Sequence, residues 1–411
     1  MDYIAYANDL INFIDSSPCA AFAAHNALNM LKAAGFEEYD GVAEQGGRYY
    51  IERGGIALAA FIKGGSEVRI AGAHLDSPAV MLKPKCELIS EGAYVRLNSE
   101  IYGGAILSTW LDRPLGIAGR VMLKSNTIMP TIQPEVRLYK SGRALCIIPN
   151  CAPHLNREIN SGFAYNKQRD MLPLFSLDVR RRIIDVIAED MAVNAEDILD
   201  YELYCYDVQG GMLIGDMISV GRLDDLMMSY ALVRALCECD TKNTSIIILT
   251  DNEEVGSLTM GGARGSLPLE AVRAALGENY TEKLKNAAAF STDLAHAVNP
   301  SHPELHEPLA RPYLNRGMVL KRAANKSYST DGVSGAVFKA VCQRAGVPYQ
   351  EFVNPSDRPG GTTIGPMLSA VLGIPVADIG APVIAMHSIR ELGGVRDAGD
   401  SLKLFKAFFE I

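Results

Sequence analysis

The 411-residue chain has no surplus of basic residues. Its 39 lysines and arginines stand against 48 aspartates and glutamates, for a net charge of −9 and a pI near 5.4. Domains that track nucleic-acid phosphates are usually basic, so no nucleic-acid partner is expected. The chain also lacks a run that could span a membrane. Its most apolar tract, residues 370–386, is interrupted by Pro375, Asp378, Gly380 and Pro382, whereas a spanning helix needs about 20 apolar residues in a row. The eight cysteines, from Cys19 to Cys342, show no paired metal-finger spacing and are too sparse for a disulfide scaffold. The opening Met1-Asp2-Tyr3-Ile4 does not lead from a basic segment into an apolar one, so no secretory signal is read. A reducing cytoplasm is the expected compartment.

What is present describes a globular protein. Hydrophobic residues make up 48% and charged residues 21%, with a mean hydropathy of +0.06, which argues against dominant disorder. At roughly 150 residues per domain the length suggests two or three domains. Helical stripes open the chain, ending near Pro18 and Gly35, and strand-like runs follow at 48–51, 57–62 and 68–73. From about Cys86 to Asp216 the texture changes to short β-prone pieces at 94–97, 119–123, 136–139 and 144–148, with one acidic helical stretch over 177–200. This block reads as an insertion, residues 86–216, into a discontinuous domain formed by 1–85 and 217–411. Strand–helix alternation then returns, with strands at 245–250, 287–290, 318–321, 349–353 and 382–386 and helices at 226–237, 335–345 and 365–372. Alternation of this kind predicts an α/β fold with a mostly parallel central sheet flanked by helices.

Polar residues fall at the ends of these strands. His74 and Asp76 follow 68–73, Glu253 and Glu254 follow 245–250, Asp293 follows 287–290, His387 follows 382–386, and Asp224 precedes a helix. Ligands of open α/β sheets bind beyond the carboxyl ends of the strands, so these groups can converge. Each has a plainer reading alone: Asp224 or Asp225 as a helix N-cap, Glu253-Glu254 as a solvated turn, His387 as a packed histidine. Their shared topological position favours the joint reading. Two imidazoles and three carboxylates suit a pair of cations such as Zn²⁺, with Mn²⁺ or Co²⁺ also accepted by such donors. One carboxylate can bridge, and one member of the Glu253-Glu254 pair can contact metal while the other acts as base toward a water.

The residues also match a family. The segments are Phe13-Ile14-Asp15-Ser16-Ser17-Pro18, Ala73-His74-Leu75-Asp76-Ser77-Pro78, Tyr102-Gly103-Gly104, Trp110-Leu111-Asp112-Arg113 and Pro153-His154-Leu155-Asn156-Arg157. Further on come Gly221-Arg222-Leu223-Asp224, Asp251-Asn252-Glu253-Glu254-Val255-Gly256-Ser257, Asp293-Leu294-Ala295-His296-Ala297, Gly361-Thr362-Thr363-Ile364-Gly365-Pro366 and Met386-His387-Ser388-Ile389-Arg390-Glu391. In order and from end to end, the chain resembles the aspartyl aminopeptidases, dinuclear zinc exopeptidases acting on peptides.

The resemblance implies one zinc on His74, Asp224 and Asp293 and another on Asp224, Glu254 and His387. It makes Glu253 the general base and Asp76 the partner that orients His74. It makes the inserted block a dimerisation domain whose His154 serves the neighbouring subunit, within homo-oligomers built from dimers up to a dodecamer. Lys321 and Tyr328 match positions lining the substrate pocket. There a lysine ammonium would pair with an N-terminal Asp or Glu side chain and be stranded by an apolar one. Two segments depart from the pattern: Ala324-Asn325-Lys326-Ser327 lacks the usual glutamine-arginine pair, and Asn354-Pro355-Ser356-Asp357 replaces a compact arginine-asparagine-aspartate. His296, His302 and His306 have no part in this scheme. The competing readings are a related dizinc deblocking peptidase or deacylase and a catalytically silent assembly protein, and an intact Glu253 argues against the silent one.

Overall fold

A computed structural model describes residues 1–124 and 134–411. Two compact units divide the chain: the first comprises Met1–Ser77, Gly211–Met386 and Arg390–Ile411, the second Pro78–Gly210 with His387–Ile389. The expected junction at 85/86 falls inside the strand Ala79–Ser90. The one at 216/217 would cut the hairpin of Met212–Ile214 with Met217–Val220. Strand pairing therefore shifts both junctions toward earlier residues.

The first unit is built on a nine-stranded sheet ordered Glu37–Glu38, Arg48–Arg53, Ala57–Ile62, Thr244–Thr250, Val68–His74, Ala287–Thr292, Val376–Gly380, Met318–Arg322, Tyr349–Val353. Its four central strands, 244–250, 68–74, 287–292 and 376–380, are mutually parallel. The strands flanking this group, 57–62 and 318–322, run antiparallel to it. The sheet is mixed: five of its eight strand pairings are parallel, so the expected parallel character holds at its centre and fails at the strands flanking it. Part of the reason is local: Gly54 and Gly55, at φ +61° and +70°, allow a tight reversal between 48–53 and 57–62, and a hairpin is antiparallel by construction.

The strands 57–62, 68–74 and 244–250 are buried along their whole length, as expected when both faces of a sheet are covered. One apolar cluster unites residues of helices Tyr3–Ser16, Ala20–Ala33, Leu223–Glu238 and Val395–Glu410. A second unites helices Leu267–Leu276 and Gly365–Leu372. A five-stranded sheet, 212–214, 217–220, 391–394, 382–384 and 295–296, completes this unit.

The second unit carries a six-stranded antiparallel sheet ordered 135–140, 115–123, 198–207, 79–90, 94–102, 174–176. The helix expected over 177–200 is shorter, Ile183–Met191. It stops at Ala192, whose left-handed conformation caps it, and Ile198 opens a ten-residue strand. The strand expected at 144–148 is reduced to isolated bridges. The one expected at 382–386 ends at Ile384, because Ala385 turns to φ +58°. No helix among the described residues is long and apolar enough to cross a membrane.

Candidate metal centre

Register places the strand ends together. Thr250 pairs with His74, and Ser291 with Gly72, so the parallel strands 244–250, 68–74 and 287–292 finish at one edge. His74 ends its strand and is almost fully buried. Its Nδ1 lies 3.1 Å from the Asp76 carbonyl oxygen and 3.5 Å from Asp76 Oδ1. Its Nε2 faces Asp224 Oδ1 at 3.5 Å and Asp293 Oδ1 at 4.0 Å. One ring nitrogen is thus held by Asp76 while the other is aimed at two carboxylates, the usual disposition of a metal-ligating histidine.

Asp224 stands at the start of the helix Leu223–Glu238, where it and Asp225 leave helical geometry. The peptide between them is cis. The two carboxylates have different tasks. Asp224 faces His74, whereas Asp225 Oδ2 accepts the His74 backbone N–H at 3.3 Å. The Ser229 hydroxyl donates to the His74 carbonyl at 2.7 Å, and the Asp224 N–H donates to Glu391 Oε2 at 3.1 Å. Asp225, Ser229 and Glu391 escaped sequence reasoning. Asp225 was visible only as a neighbour of Asp224, and Glu391 only as the end of the Met386–Glu391 segment.

Glu253 and Glu254 begin a short 3-10 turn after the strand 244–250, entered through Asn252 at φ +60°. Asp76 fixes this turn: Oδ1 accepts the Glu253 N–H at 3.0 Å and Oδ2 the Glu254 N–H at 3.1 Å. Asp76 therefore faces His74 and holds the paired glutamates at once. Two sets of possible ligand atoms, those of His74, Asp224 and Asp293 and those of His74, Glu253 and Glu254, each lie within 4.8 Å of one another.

So many buried acids repel one another. Burial pushes Glu253 up to about 8, helped by Asp293, Glu254 and Asp76 and opposed by His74. Burial likewise raises Asp293 to about 7, against the pull of Lys321. Burial disfavours a charged His74, yet Asp224 and Asp76 overcome it and hold the imidazole well above its ordinary value. A cluster that draws protons this strongly is one that a divalent cation would neutralise. Its imidazole and carboxylate donors fit Zn²⁺.

Lys321 is buried in the strand 318–322. Its Nζ lies 3.3 Å from Asp293 Oδ2, donates to the Leu294 carbonyl at 3.1 Å, and sits 5.3 Å from the centre of the Tyr328 ring. Without substrate this ammonium is therefore not isolated, since Asp293 and the Leu294 carbonyl partner it. Phe352 packs edge-on against Tyr328 and His296. With His296, Asn354, Arg358 and Met386 it lines a cavity of about 340 Å³. His306 is a structural residue: its Nε2 accepts the Asn299 N–H at 3.1 Å.

The remaining two expected residues belong to the second unit. His387, at φ +69°, has Nδ1 3.2 Å from the Gly104 carbonyl oxygen, and a Cβ at Gly104 would come within 3.1 Å of that nitrogen. His154 lies in an exposed turn without regular structure.

The sequence pattern of the aminopeptidase I zinc metalloproteases (M18) matches residues 13–409. The chain belongs to the M18 family. This M18 aminopeptidase is 41% identical to a probable M18 family aminopeptidase 2 of Clostridium novyi, covering 99% of both chains. It is 37% identical to one of Pseudomonas fluorescens, covering 97% of both. Among solved structures it resembles the dodecamer of mApe1 from S. cerevisiae, with TM-score 0.86 and 27% identity over 100% of this chain and 97% of that one. An M18 aminopeptidase of Thermotoga maritima, 23% identical over 100% of this chain and 96% of its own, shares the fold with TM-score 0.88.

Proposed function

We propose that this M18 aminopeptidase binds two zinc ions and removes N-terminal residues, with Asp and Glu preferred. His74, Asp224 and Asp293 would hold one ion, and Asp224, Glu254 and His387 the other, Asp224 serving both. When bound, such ions supply Lewis acidity toward water and the scissile carbonyl. The chain's own residues do the rest. Asp76 keeps the His74 ring oriented and pins the turn that carries Glu253. Glu253 takes a proton from the attacking water and delivers it to the departing amine. His154 of a neighbouring subunit would face the developing oxyanion, and the inserted block would form the dimer contact. The dodecamer of the yeast relative supports a homo-oligomer.

The observation that carries the reading is Asp76. Its two oxygens hold the Glu253 and Glu254 N–H groups while its first oxygen stays 3.5 Å from His74. A structural metal site needs ligands but has no use for a second, separately anchored glutamate. Acidic preference rests on Lys321, which has given Asp293 and Leu294 two of its three N–H donors and has a third to offer. The test is a hydrolysis profile of all aminoacyl anilides at defined zinc loading. Asp and Glu substrates should exceed Leu in kcat/KM. Equal values for Asp, Leu and Lys would remove the acidic preference and leave the peptidase. Two bound zincs with no hydrolysis of any substrate would favour a silent assembly protein.

A further inference from the structure

The Gly361–Pro366 segment and the Tyr328 loop meet at a carboxylate to which the reaction above gives no role. Asp378 is fully buried in the strand Val376–Gly380. It pairs in register with Lys321 of the antiparallel neighbour, so both side chains leave the same face of the sheet. Its Oδ1 accepts the Thr363 hydroxyl at 2.6 Å. Its Oδ2 accepts the Ser329 hydroxyl at 2.7 Å and also the Ser329 backbone N–H. Its own N–H donates to Thr330 Oγ1 at 2.8 Å. A second tie joins the same two segments, from the Thr362 hydroxyl to the Ser327 carbonyl at 3.1 Å.

These bonds matter because residues 323–331 and 354–364 form no helix or strand. No backbone ladder fixes them, so side-chain bonds must offset the entropy of ordering them. A buried carboxylate is a strong anchor for that purpose: its desolvation is costly unless donors surround it, and charge-assisted bonds are stronger than neutral ones. The sequence makes room for it. A Cβ on Gly365 would stand 2.2 Å from Asp378 Oδ1, and the Gly365 N–H donates to the same Thr363 hydroxyl at 3.2 Å.

We propose that Asp378 is a positioning residue for substrate binding, fixing Ser329 and Thr363 and thereby the Tyr328 loop and the 361–365 turn around Lys321. This rests on the assignment of Lys321 and Tyr328 to the substrate pocket. The hydrogen bonds of Asp378 go to Ser329, Thr330 and Thr363 and not to the metal donors, so its loss should act on KM and selectivity more than on kcat or metal content.

The experiment compares the full-length, zinc-loaded enzyme with Asp378→Asn, Thr363→Val and Thr363→Ser, using the best aminoacyl anilide of the wild type. Thr363→Val keeps the shape at 363 and serves if Asp378→Asn does not fold. Losing a bond to a buried carboxylate should raise KM by about tenfold while kcat changes by less than about threefold. Thr363→Ser, which retains the hydroxyl, should return KM to within about twofold of wild type. Amide exchange of the folded enzymes should be faster at 327–331 and 361–365 in Thr363→Val. Unchanged KM in a folded variant with faster exchange would overturn the proposal, as would a loss of kcat or zinc content as large as the rise in KM. Should the wild type hydrolyse no anilide, the peptidase reading fails by itself. Unchanged exchange in Thr363→Val would then overturn the clamp independently.

Discussion

At the scale of single residues, the proposed catalytic role and the response to pH both rest on Glu253 and its acidic neighbours. Glu253→Gln keeps the backbone N–H that Asp76 anchors and removes only the proton acceptor. Zinc content should remain intact and kcat should fall by about 10²–10⁴-fold, as read by elemental analysis beside steady-state kinetics. Near-normal turnover with two metals bound would reassign the base. Without a cation, Glu253 is held near 8 instead of its ordinary 4.5, and Asp293 near 7 instead of 3.8. The unfolded chain ionises these groups at the ordinary values, so between those values and the raised ones it binds fewer protons than the folded chain. Stability must then fall as pH rises. The imidazolium of His74, raised by Asp224 and Asp76, is lost in the same direction. Chelator-treated protein should therefore show a Tm that declines from about pH 5 to about pH 8. Zinc, taking the place of the protons, should flatten or reverse that slope. A metal-free Tm that climbs over the same range would contradict the acid cluster described here.

At the scale of elements, the site depends on how closely strand ends approach each other. Gly380 closes the strand 376–380, and a Cβ there would lie 1.9 Å from the Asp293 carbonyl oxygen. Gly380→Ala should push the turn bearing Asp293 outward, costing about 1–3 kcal/mol as overpacking does and weakening zinc retention. Denaturant midpoints and zinc titrations would measure the two effects, and unchanged values for both would mean that the turn can yield freely. The same elements mark what sequence could reveal. His74, Glu253, Glu254 and Asp293 were legible because each follows a strand buried along all or most of its length. Asp225 and Glu391 were not, because they act by accepting backbone N–H groups, which leaves no pattern in side-chain chemistry. The long strand Ala79–Ser90 was hidden by Lys83-Pro84-Lys85, where its register to the next strand shifts between Leu82 and Glu87. The mixed sheet was also hidden, since strand–helix alternation says nothing about the direction of flanking strands.

At the scale of the whole molecule, the open question is whether one chain suffices for a complete site. His154 lies in an exposed turn, next to Leu155 at 83% exposure. An exposed apolar residue beside His154 is what a segment buried against another copy would present. If His154 serves a neighbour, His154→Phe and Glu253→Gln chains should each be inactive alone and active together. In a random equal mixture, a working site needs an intact Glu253 in its own chain and an intact His154 in the adjoining one. About a quarter of the sites meet both conditions when one neighbour contributes to each site. Co-expression with two affinity tags would isolate the mixed oligomers, and kcat per zinc-loaded chain would count the restored sites. If His154 acts within its own chain, no mixed oligomer contains a complete site. Verified mixed oligomers would then be as inactive as either parent, and His154 would act within its own chain or not at all.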